Sequence, residues 1–413
     1  MKNNLSFLYL IIGQSLANAG DVFYIVALIS LVYSLTDSTF FVSLVPLINT
    51  LSAFVSGIIA PLLIDKHPLK RILVFSQFWK TVFLFLLIIY TIYFLRVNNI
   101  YILFLMIGII SFLDGWANPS RNSMIPRLVE EDHLVKANSL VTITDQTIRL
   151  GGWAVGGIIL SLLNSKWVFW ITFIFYIIST LFMSLIRDRK QKDLSDSHLP
   201  KTLKDSLIEG WNLIIKSKNL RIIHLIILFE AMASTVWLSA VLYVFIQKRL
   251  EVGVHWWGYL NTSLFVGILL AGFIGYKWSW INKQLIPTIL IGSFMVFLTT
   301  LLFGLNNLPW LALILIGLNG LFDQLKVISI QTILQSTVGD RLLPKIYTAQ
   351  NALITLVFGL ATAAVGVIAD IFNILLTFMI ASLLLIISFV ILFATRNSLL
   401  QKITISHQIS HQK

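Results

Sequence analysis

Residues 108–157 read GIISFLDGWANPSRNSMIPRLVEEDHLVKANSLVTITDQTIRLGGWAVGG, and this stretch decides the fold. It predicts an apolar helix that carries Asp114, then a polar loop, then a second apolar helix that carries Arg149. Apolar runs interrupted by single charged residues are typical of helices that cross a membrane and carry ionisable groups within it. The stretch therefore predicts two such helices joined by a polar loop.

The same order of helix, loop and helix recurs 209 residues later in the chain. The shift also aligns two acidic residues of other helices, Asp21 and Glu230. Because 209 is about half of the 413 residues, we interpret the repeat as an internal duplication of one membrane bundle, with acids at matching depths. The identical residues that the shift aligns include Asp114 and Asp323, Val129 and Val338, Leu134 and Leu343, Lys136 and Lys345, and Ser30 and Ser239.

Composition places the chain among multi-pass membrane proteins. Hydrophobic residues make up 57% of it and charged residues 12%, and the mean hydropathy is +0.88. A bilayer core of about 30 Å needs roughly 20 apolar residues per helix. The sequence divides into twelve such spans, predicted at 7–33, 39–64, 72–95, 100–122, 138–163, 167–186, 221–247, 256–276, 284–304, 308–332, 350–371 and 374–395.

The predicted fold class is an all-α membrane protein with two pseudo-symmetric six-helix bundles. The first bundle is expected over 1–186 and the second over 221–395. Residues 187–220 are predicted to form a cytoplasmic linker that ends in an amphipathic helix on the membrane surface. Residues 396–413 are predicted to form a cytoplasmic tail.

The positive charge is distributed as in a membrane protein rather than a nucleic-acid-binding one. The net charge is +12, but the predicted outer loops hold only Arg96, Lys166, Lys248 and Arg249. Cytoplasmic loops carry the excess of Lys and Arg. The pattern predicts a cell-membrane protein with both termini in the cytoplasm, the lipid bilayer as its surroundings and no nucleic-acid partner. The chain has no cysteine and therefore no disulfide or thiolate metal site.

Asp21 and Glu230 are the leading candidates for proton coupling. Each lies within a predicted span, at matched positions of the two halves. A carboxyl group inside the membrane is costly when ionised and can alternate between neutral and charged forms, so a functional role is the default interpretation. A hydrogen-bonded structural acid is the alternative.

The loop between the second and third predicted helices resembles the corresponding loop of the major facilitator superfamily. It contains Asp65, Lys66, Lys70 and Arg71 in the order acid, base, turn and basic cluster. An acid at a helix end opposite basic residues can form a latch that breaks as two bundles rock, so this loop is a candidate gate. An ordinary basic inner loop is the alternative.

Four further segments resemble the bacterial drug:proton antiporter group that contains macrolide-efflux and enterobactin-export proteins. They are AGDVFYIVAL at 19–28, PSRNSMIPRLVEEDHLVKANSL at 119–140, DSLIEGWNLIIKSKNLR at 205–221 and LQSTVGDRLLPKIYTAQNAL at 334–353. The resemblance implies a monomeric secondary transporter with alternating access, no cofactor and export of a small molecule against protons. It departs at helix 4, where Ser111 and Asp114-Gly115 replace an Arg and a Gln-Gly pair.

Helix 5 departs from that group as well. Antiporters usually have a glycine-proline pair followed by two glycines, whereas here Trp153 replaces the proline between Gly152 and the pair Gly156 and Gly157. Glycines four apart let helix backbones approach closely. Helix packing and a role in exchange coupling both stay open.

Charged residues within other spans suggest ion pairs. Asp145 and Arg149 are four residues apart on one helix face, and Asp323 and Lys326 are three apart. Such pairs are either structural or change partners between conformations. Lys80 lies near the start of helix 3, and we expect it to extend back to the inner interface.

Aromatic residues inside spans are candidates to line a central cavity. Phe23 and Tyr24 flank Asp21, and Trp116, Trp153 and Trp237 lie within other spans. Such side chains hold flat organic molecules by stacking and cationic ones by cation–π contact. Core or lipid-facing packing is the alternative for each.

The sequence lacks the motifs of ATP-driven transport and of enzymes. It has no glycine-rich phosphate loop, HExxH zinc motif or recognisable catalytic triad, so no enzyme activity, cofactor or metal is predicted. We therefore expect export of a drug-like molecule, driven by an ion gradient. The alternatives are export of a siderophore, transport of a lysophospholipid between leaflets, import by the same fold and a transport-inactive sensor.

Overall fold

The computed structural model describes residues 5–188, 203–237, 239–253, 255–278, 280–339, 341–371 and 374–410. This part of the chain is built from helices. They are α1 Leu5–Thr36, α2 Thr39–Lys66, α3 Leu69–Tyr93, α4 Ile100–Asp114, α5 Ala117–Leu128, α6 Leu134–Ser184, α7 Leu203–Lys216, α8 Lys218–Ala233, α9 Ser239–Phe245, α10 His255–Lys277, α11 Trp280–Lys283, α12 Leu285–Leu305, α13 Pro309–Thr337, α14 Leu343–Ile371 and α15 Ile374–Ser410. Short 3₁₀ turns at Val97–Asn99, Glu131–His133 and Ser234–Trp237 and a π turn at Ile246–Leu250 complete the described elements.

The predicted spans correspond to these helices. Within the described residues, ten helical stretches are long and apolar enough to cross a membrane. The remaining two predicted spans are α14 and the first half of α6. Helix α6 is interrupted by a kink at Asn164, where the backbone leaves helical geometry at φ 63° and ψ 169°. This break separates the predicted fifth and sixth spans.

The helices are apolar on their outer faces as well as in their cores. Leu105, Leu162 and Leu360 are exposed although they are large and hydrophobic. Helices can present such faces to hydrocarbon because all their backbone polar groups bond within the helix. The exposed apolar surface is therefore what a membrane-embedded bundle requires.

The described chain forms two compact units. Unit 1 contains Met1–Glu130, Thr144–Gly210 and Asp340–Ala349. Unit 2 contains Glu131–Ile143, Trp211–Gly339 and Gln350–Lys413. The core of unit 1 includes Tyr24, Leu84, Ile107 and Phe169, and that of unit 2 includes Phe245, Phe303 and Phe378.

The repeat detected in the sequence is also a repeat of structure. Helices α5 and α13 both end before a valine with an extended backbone, Val129 and Val338. The next long helices begin at Leu134 and Leu343, which the 209-residue shift relates. Helix starts and stops thus recur in both halves, as duplication predicts.

A short segment of each half belongs to the unit built mainly by the other half. In unit 2, Asn138 donates from its side-chain amide to Thr332 Oγ1 at 3.1 Å and to Gln335 Oε1 at 2.7 Å. In unit 1, Lys345 forms an ion pair with Glu209 of α7. The start of α6 and the start of α14 are therefore fixed by polar contacts inside units 2 and 1, respectively.

Candidate functional site

Lys80 is buried in the middle of α3, so the expectation that it extends to the membrane interface is wrong. Its side chain is 1% exposed, with Nζ 2.9 Å from Asp21 Oδ1 and 2.5 Å from Asp114 Oδ1. The position lies roughly 16 Å along the axis from the start of α3, farther than a lysine side chain reaches. Two carboxylates from α1 and α4 stabilise its charge instead.

Tyr176 completes this cluster in unit 1. Its hydroxyl donates a short hydrogen bond to Asp21 Oδ1, and Lys80 Nζ lies 5.0 Å from the centre of its ring. Gly20 makes room for the ring, because a Cβ atom there would lie 2.6 Å from Tyr176 Cε1. Asp21 therefore contacts one cation and one neutral donor.

Unit 2 contains a second lysine between two carboxylates. Lys326 Nζ lies 2.8 Å from Asp323 Oδ1 and 3.0 Å from Glu230 Oε1, and the lysine side chain is 1% exposed. The pairing of Asp323 with Lys326 is thus present, as the spacing predicts. The structure adds Glu230, which lies on a different helix.

The acids of the two clusters are related by the sequence repeat, but the bases are not. The position equivalent to Lys80 is Ile289, and that equivalent to Lys326 is Ala117. Tyr176 has a leucine, Leu385, at its equivalent position. Both halves therefore build the same charge set with lysines from different helices.

The four acids differ in exposure in the same order in both units. Asp114 and Asp323 are 37% and 48% exposed, whereas Asp21 and Glu230 are 24% and 15% exposed. In each cluster a more exposed acid and a less exposed acid thus contact the same buried lysine.

Asp145 pairs with Arg121 and not with Arg149, which corrects the interpretation from spacing. Arg121 Nη1 lies 3.0 Å from Asp145 Oδ1 and 2.9 Å from Oδ2, and Asn18 donates to Oδ1 at 3.0 Å. Arg149 is exposed and forms no ion pair within the described residues. Residues four apart share a face, but Arg121 of α5 reaches the carboxylate from a neighbouring helix.

Most of the aromatic candidates have packing partners inside single units, and their place on the wall of a central cavity stays a prediction. Phe23 and Tyr24 belong to the core of unit 1. Trp116 is buried and donates from Nε1 to the Ser56 carbonyl at 3.2 Å. Trp237 packs 4.9 Å from the ring of Phe303. Apolar neighbours on adjacent helices cover Phe23 and Tyr24, whereas Trp237 is partly buried.

The glycines of α6 have the packing role that their spacing predicts. A Cβ at Gly152 would lie 3.1 Å from Val22 Cγ1, and one at Gly156 would lie 3.2 Å from Phe23 Cδ1. Both glycines therefore let α6 approach α1 closely. Gly157 faces open space, and Trp153 is 48% exposed. A role in exchange coupling stays a prediction.

The candidate gating loop is a tight connection. Helix α2 ends at Lys66 and α3 begins at Leu69, and the side chains of Lys66 and Arg71 are exposed while Lys70 is partly buried. The side chain of Asp65 lies outside the described part of the structure. The latch between Asp65 and the basic residues stays a prediction.

A family model described as Major Facilitator Superfamily matches residues 10–318. The chain belongs to the major facilitator superfamily. It is 28% identical over 382 residues to the uncharacterized MFS-type transporter YfmI of Bacillus subtilis (strain 168). The aligned residues cover 92% of this chain and 93% of YfmI. YjbB of the same organism, also an uncharacterized MFS-type transporter, is 23% identical over 393 residues, or 95% of this chain and 96% of YjbB.

Solved structures show the same fold at low sequence identity. A bacterial homologue of the iron transporter ferroportin, in an outward-facing state, superposes with a TM-score of 0.77 at 12% identity over 95% of this chain and 99% of that one. The all-helical architecture predicted from the sequence is thus the major facilitator fold. The members of this family and the structural neighbours are transporters rather than enzymes. This chain is therefore a multi-pass membrane transporter of a small molecule.

Proposed function

We propose that this major facilitator protein exports a small organic molecule from the cytoplasm in exchange for protons. The observation that carries the proposal is the buried lysine between two carboxylates in each unit. Buried charges in a membrane protein are costly and mark functional positions by default. Two such clusters at related places favour a shared task over incidental packing.

The net charge of each cluster supports proton coupling. Two carboxylates and one ammonium group carry a net charge of −1, so the uptake of one proton makes the cluster neutral. A neutral carboxyl group binds a lysine more weakly than a carboxylate does. Protonation therefore loosens a contact between helices, for example the contact of Asp21 in α1 with Lys80 in α3. Release of the proton restores that contact.

An exposed face of α6 is our candidate for substrate contact. Arg149 and Trp153 lie four residues apart near the middle of the predicted fifth span, and both are exposed. An Arg at this depth is too costly to face lipid, so this face borders water or ligand. Guanidinium and indole groups together suit an amphipathic molecule with an anionic or aromatic part.

The proposed direction of transport and the proposed coupling ion are based on similarity to other transporters. The segment 119–140 resembles drug:proton antiporters, which supports export with protons. The Escherichia coli fucose:proton symporter FucP shares this fold with a TM-score of 0.67 at 15% identity, so the fold accommodates proton coupling. We place both termini in the cytoplasm because the basic residues concentrate in the loops on that side.

The proposal is tested in inverted membrane vesicles that are energised to an acidic interior. A pH-sensitive dye reports the interior pH while a macrolide, a cationic dye and a metal-free siderophore are added in turn. Antiport predicts that one of these classes makes the interior less acidic. Asp21→Asn should abolish this response at a normal protein level, whereas Asp37→Asn, at an exposed acid, should retain it. No response to any probe, or an equal response in Asp21→Asn, would overturn the proposal.

Siderophore export is the second candidate function. It is favoured by exposed Arg149, because guanidinium groups bind carboxylates in bidentate geometry and several siderophores are polycarboxylates. A response to the metal-free siderophore alone, lost in Arg149→Gln, would establish it over drug efflux.

A further inference from the structure

A basic cavity lies at the end of unit 1 where α2 and α3 meet. It has a volume of about 720 Å³ and is lined by the side chains of His67, Lys70 and Arg71 together with apolar residues. The apolar residues include Phe75, Phe78 and Trp116. Among the side chains that the structure describes, Lys70 and Arg71 form no ion pair. The cavity therefore combines positive charge with aromatic walls.

An apolar groove runs along the side of the same unit. It also has a volume of about 720 Å³ and lies between α2, α3 and α4. Its exposed apolar residues include Leu51, Val55, Trp79 and Leu105. Its lining is almost entirely hydrocarbon and aromatic, with Ser52 as the polar exception.

The cavity and the groove adjoin each other. Phe75 lines both, and Phe112 of the groove packs edge to face against Trp116 of the cavity with ring centres 5.3 Å apart. From Arg71 to Phe83 the axis of α3 rises roughly 18 Å. This length is comparable with half of a bilayer core of about 30 Å.

We propose that this continuous surface binds one phospholipid with an anionic headgroup. The phosphate contacts Lys70 and Arg71, and an acyl chain lies in the groove along Phe75 and Trp79. Charge complementarity and the neighbouring hydrocarbon surface select this ligand, since basic pockets between membrane helices recognise anionic headgroups. The site is independent of the substrate face at Arg149, and its occupation does not rest on proton exchange.

The repeat supplies an internal comparison. The positions equivalent to Lys70 and Arg71 are Ser279 and Trp280, so the second half lacks the basic pair. Lys277 and Lys283 lie near those positions and are exposed, and neither lines the cavity or the groove. They provide a matched change of two charges outside the proposed site.

Quenching of tryptophan fluorescence by brominated lipids tests the proposal. The full-length protein in detergent is titrated with phosphatidylglycerol or phosphatidylcholine that carries bromine on its acyl chains. The proposal predicts that phosphatidylglycerol quenches at a lower concentration and that Trp79→Phe removes the lipid-specific component. Lys70→Gln/Arg71→Gln should weaken phosphatidylglycerol binding about tenfold or more. Lys277→Gln/Lys283→Gln should leave it within twofold.

Two results can overturn the proposal without any change to the basic pair. Equal quenching by the two lipids would show a groove without headgroup recognition, and an identical signal from Trp79→Phe would show that no acyl chain lies beside Trp79. Gel filtration and thermal unfolding of each variant identify misfolding. If the basic pair does not tolerate substitution, the comparison of the two lipids on wild type still decides the outcome.

Discussion

Lys80 and Lys326 are unrelated by the 209-residue repeat, and yet each lies buried between two carboxylates of its own unit. The acids come from equivalent positions, whereas the lysine reaches in from α3 in unit 1 and from α13 in unit 2. The feature common to both halves is therefore a set of charges and not a set of aligned residues.

Removing a lysine should destabilise its unit strongly. In Lys80→Met, Asp21 and Asp114 lose their shared cation, and breaking a buried ion pair costs about 3–5 kcal/mol. We expect a clearly lower midpoint of thermal unfolding in detergent at neutral pH. Lys80→Met/Asp21→Asn should recover part of the loss because one uncompensated charge is gone. Lys66→Met, at an exposed lysine, is the control, and a midpoint equal to that control would show that the cluster contributes no stability.

The acids and the lysines differ in how far sequence could predict them. Asp21, Asp114, Glu230 and Asp323 stand out because the repeat aligns them. The repeat gave no such signal for Lys80, since its equivalent is Ile289, and its burial depends on how α1, α3 and α4 pack. Each half has a single lysine within its predicted spans, Lys80 in the first and Lys326 in the second, and this is the signal that would have found it.

Two other differences between the sequence predictions and the structure have similar physical reasons. Arg121 lies in a stretch that composition assigns to a polar loop, but the stretch forms α5 and buries Arg121 beside Asp145. Helical spacing shows which residues share a face but not which neighbouring helix covers that face. The same ambiguity applies to Trp237, whose ring packs against Phe303 from a neighbouring helix. Hydropathy, in contrast, located the spans because bilayer thickness sets helix length.

Tyr176 should stabilise the first cluster only. In Tyr176→Phe, Asp21 loses a hydrogen bond to a charged acceptor, for which the expected cost is roughly 1.5–3 kcal/mol. A double-mutant cycle with Asp21→Asn should show strong coupling between the two substitutions, whereas a cycle with Glu230→Gln should be additive. Thermal unfolding of the purified variants measures both cycles. Coupling to Glu230 as large as coupling to Asp21 would contradict this assignment.

Gly156 should not tolerate a large side chain. In Gly156→Leu the new atoms collide with Phe23 of α1, and overpacking of this kind costs about 1–3 kcal/mol. Gly157→Leu adds the same atoms one residue further along, where the glycine faces open space. The yield of folded protein in the membrane and its unfolding midpoint should fall in the first variant only. Equal behaviour of the two would refute the close approach of α1 and α6.

Arg149 and Trp153 should affect substrate affinity more than stability. Once the vesicle assay has identified a responsive probe, Arg149→Gln and Trp153→Ala should each raise its half-saturating concentration about tenfold, equivalent to roughly 1.4 kcal/mol of lost contact. Trp310→Ala, at an exposed aromatic near the start of α13, is the control. Unchanged saturation curves in both α6 variants would place the substrate elsewhere.

The most direct test of the proposed mechanism needs no substrate. Infrared difference spectroscopy of the purified protein in lipid detects protonated carboxyl groups as the bulk pH is lowered to about 6, where ordinary exposed Asp and Glu side chains stay ionised. Proton exchange at both clusters predicts a carboxyl band that decreases in Asp21→Asn, decreases in Glu230→Gln and decreases further in the double variant, while Asp37→Asn and Glu251→Gln leave it unchanged. A band of the same size in wild type and in the Asp21→Asn/Glu230→Gln protein would show that the two clusters do not exchange protons, and the proposed coupling would fail.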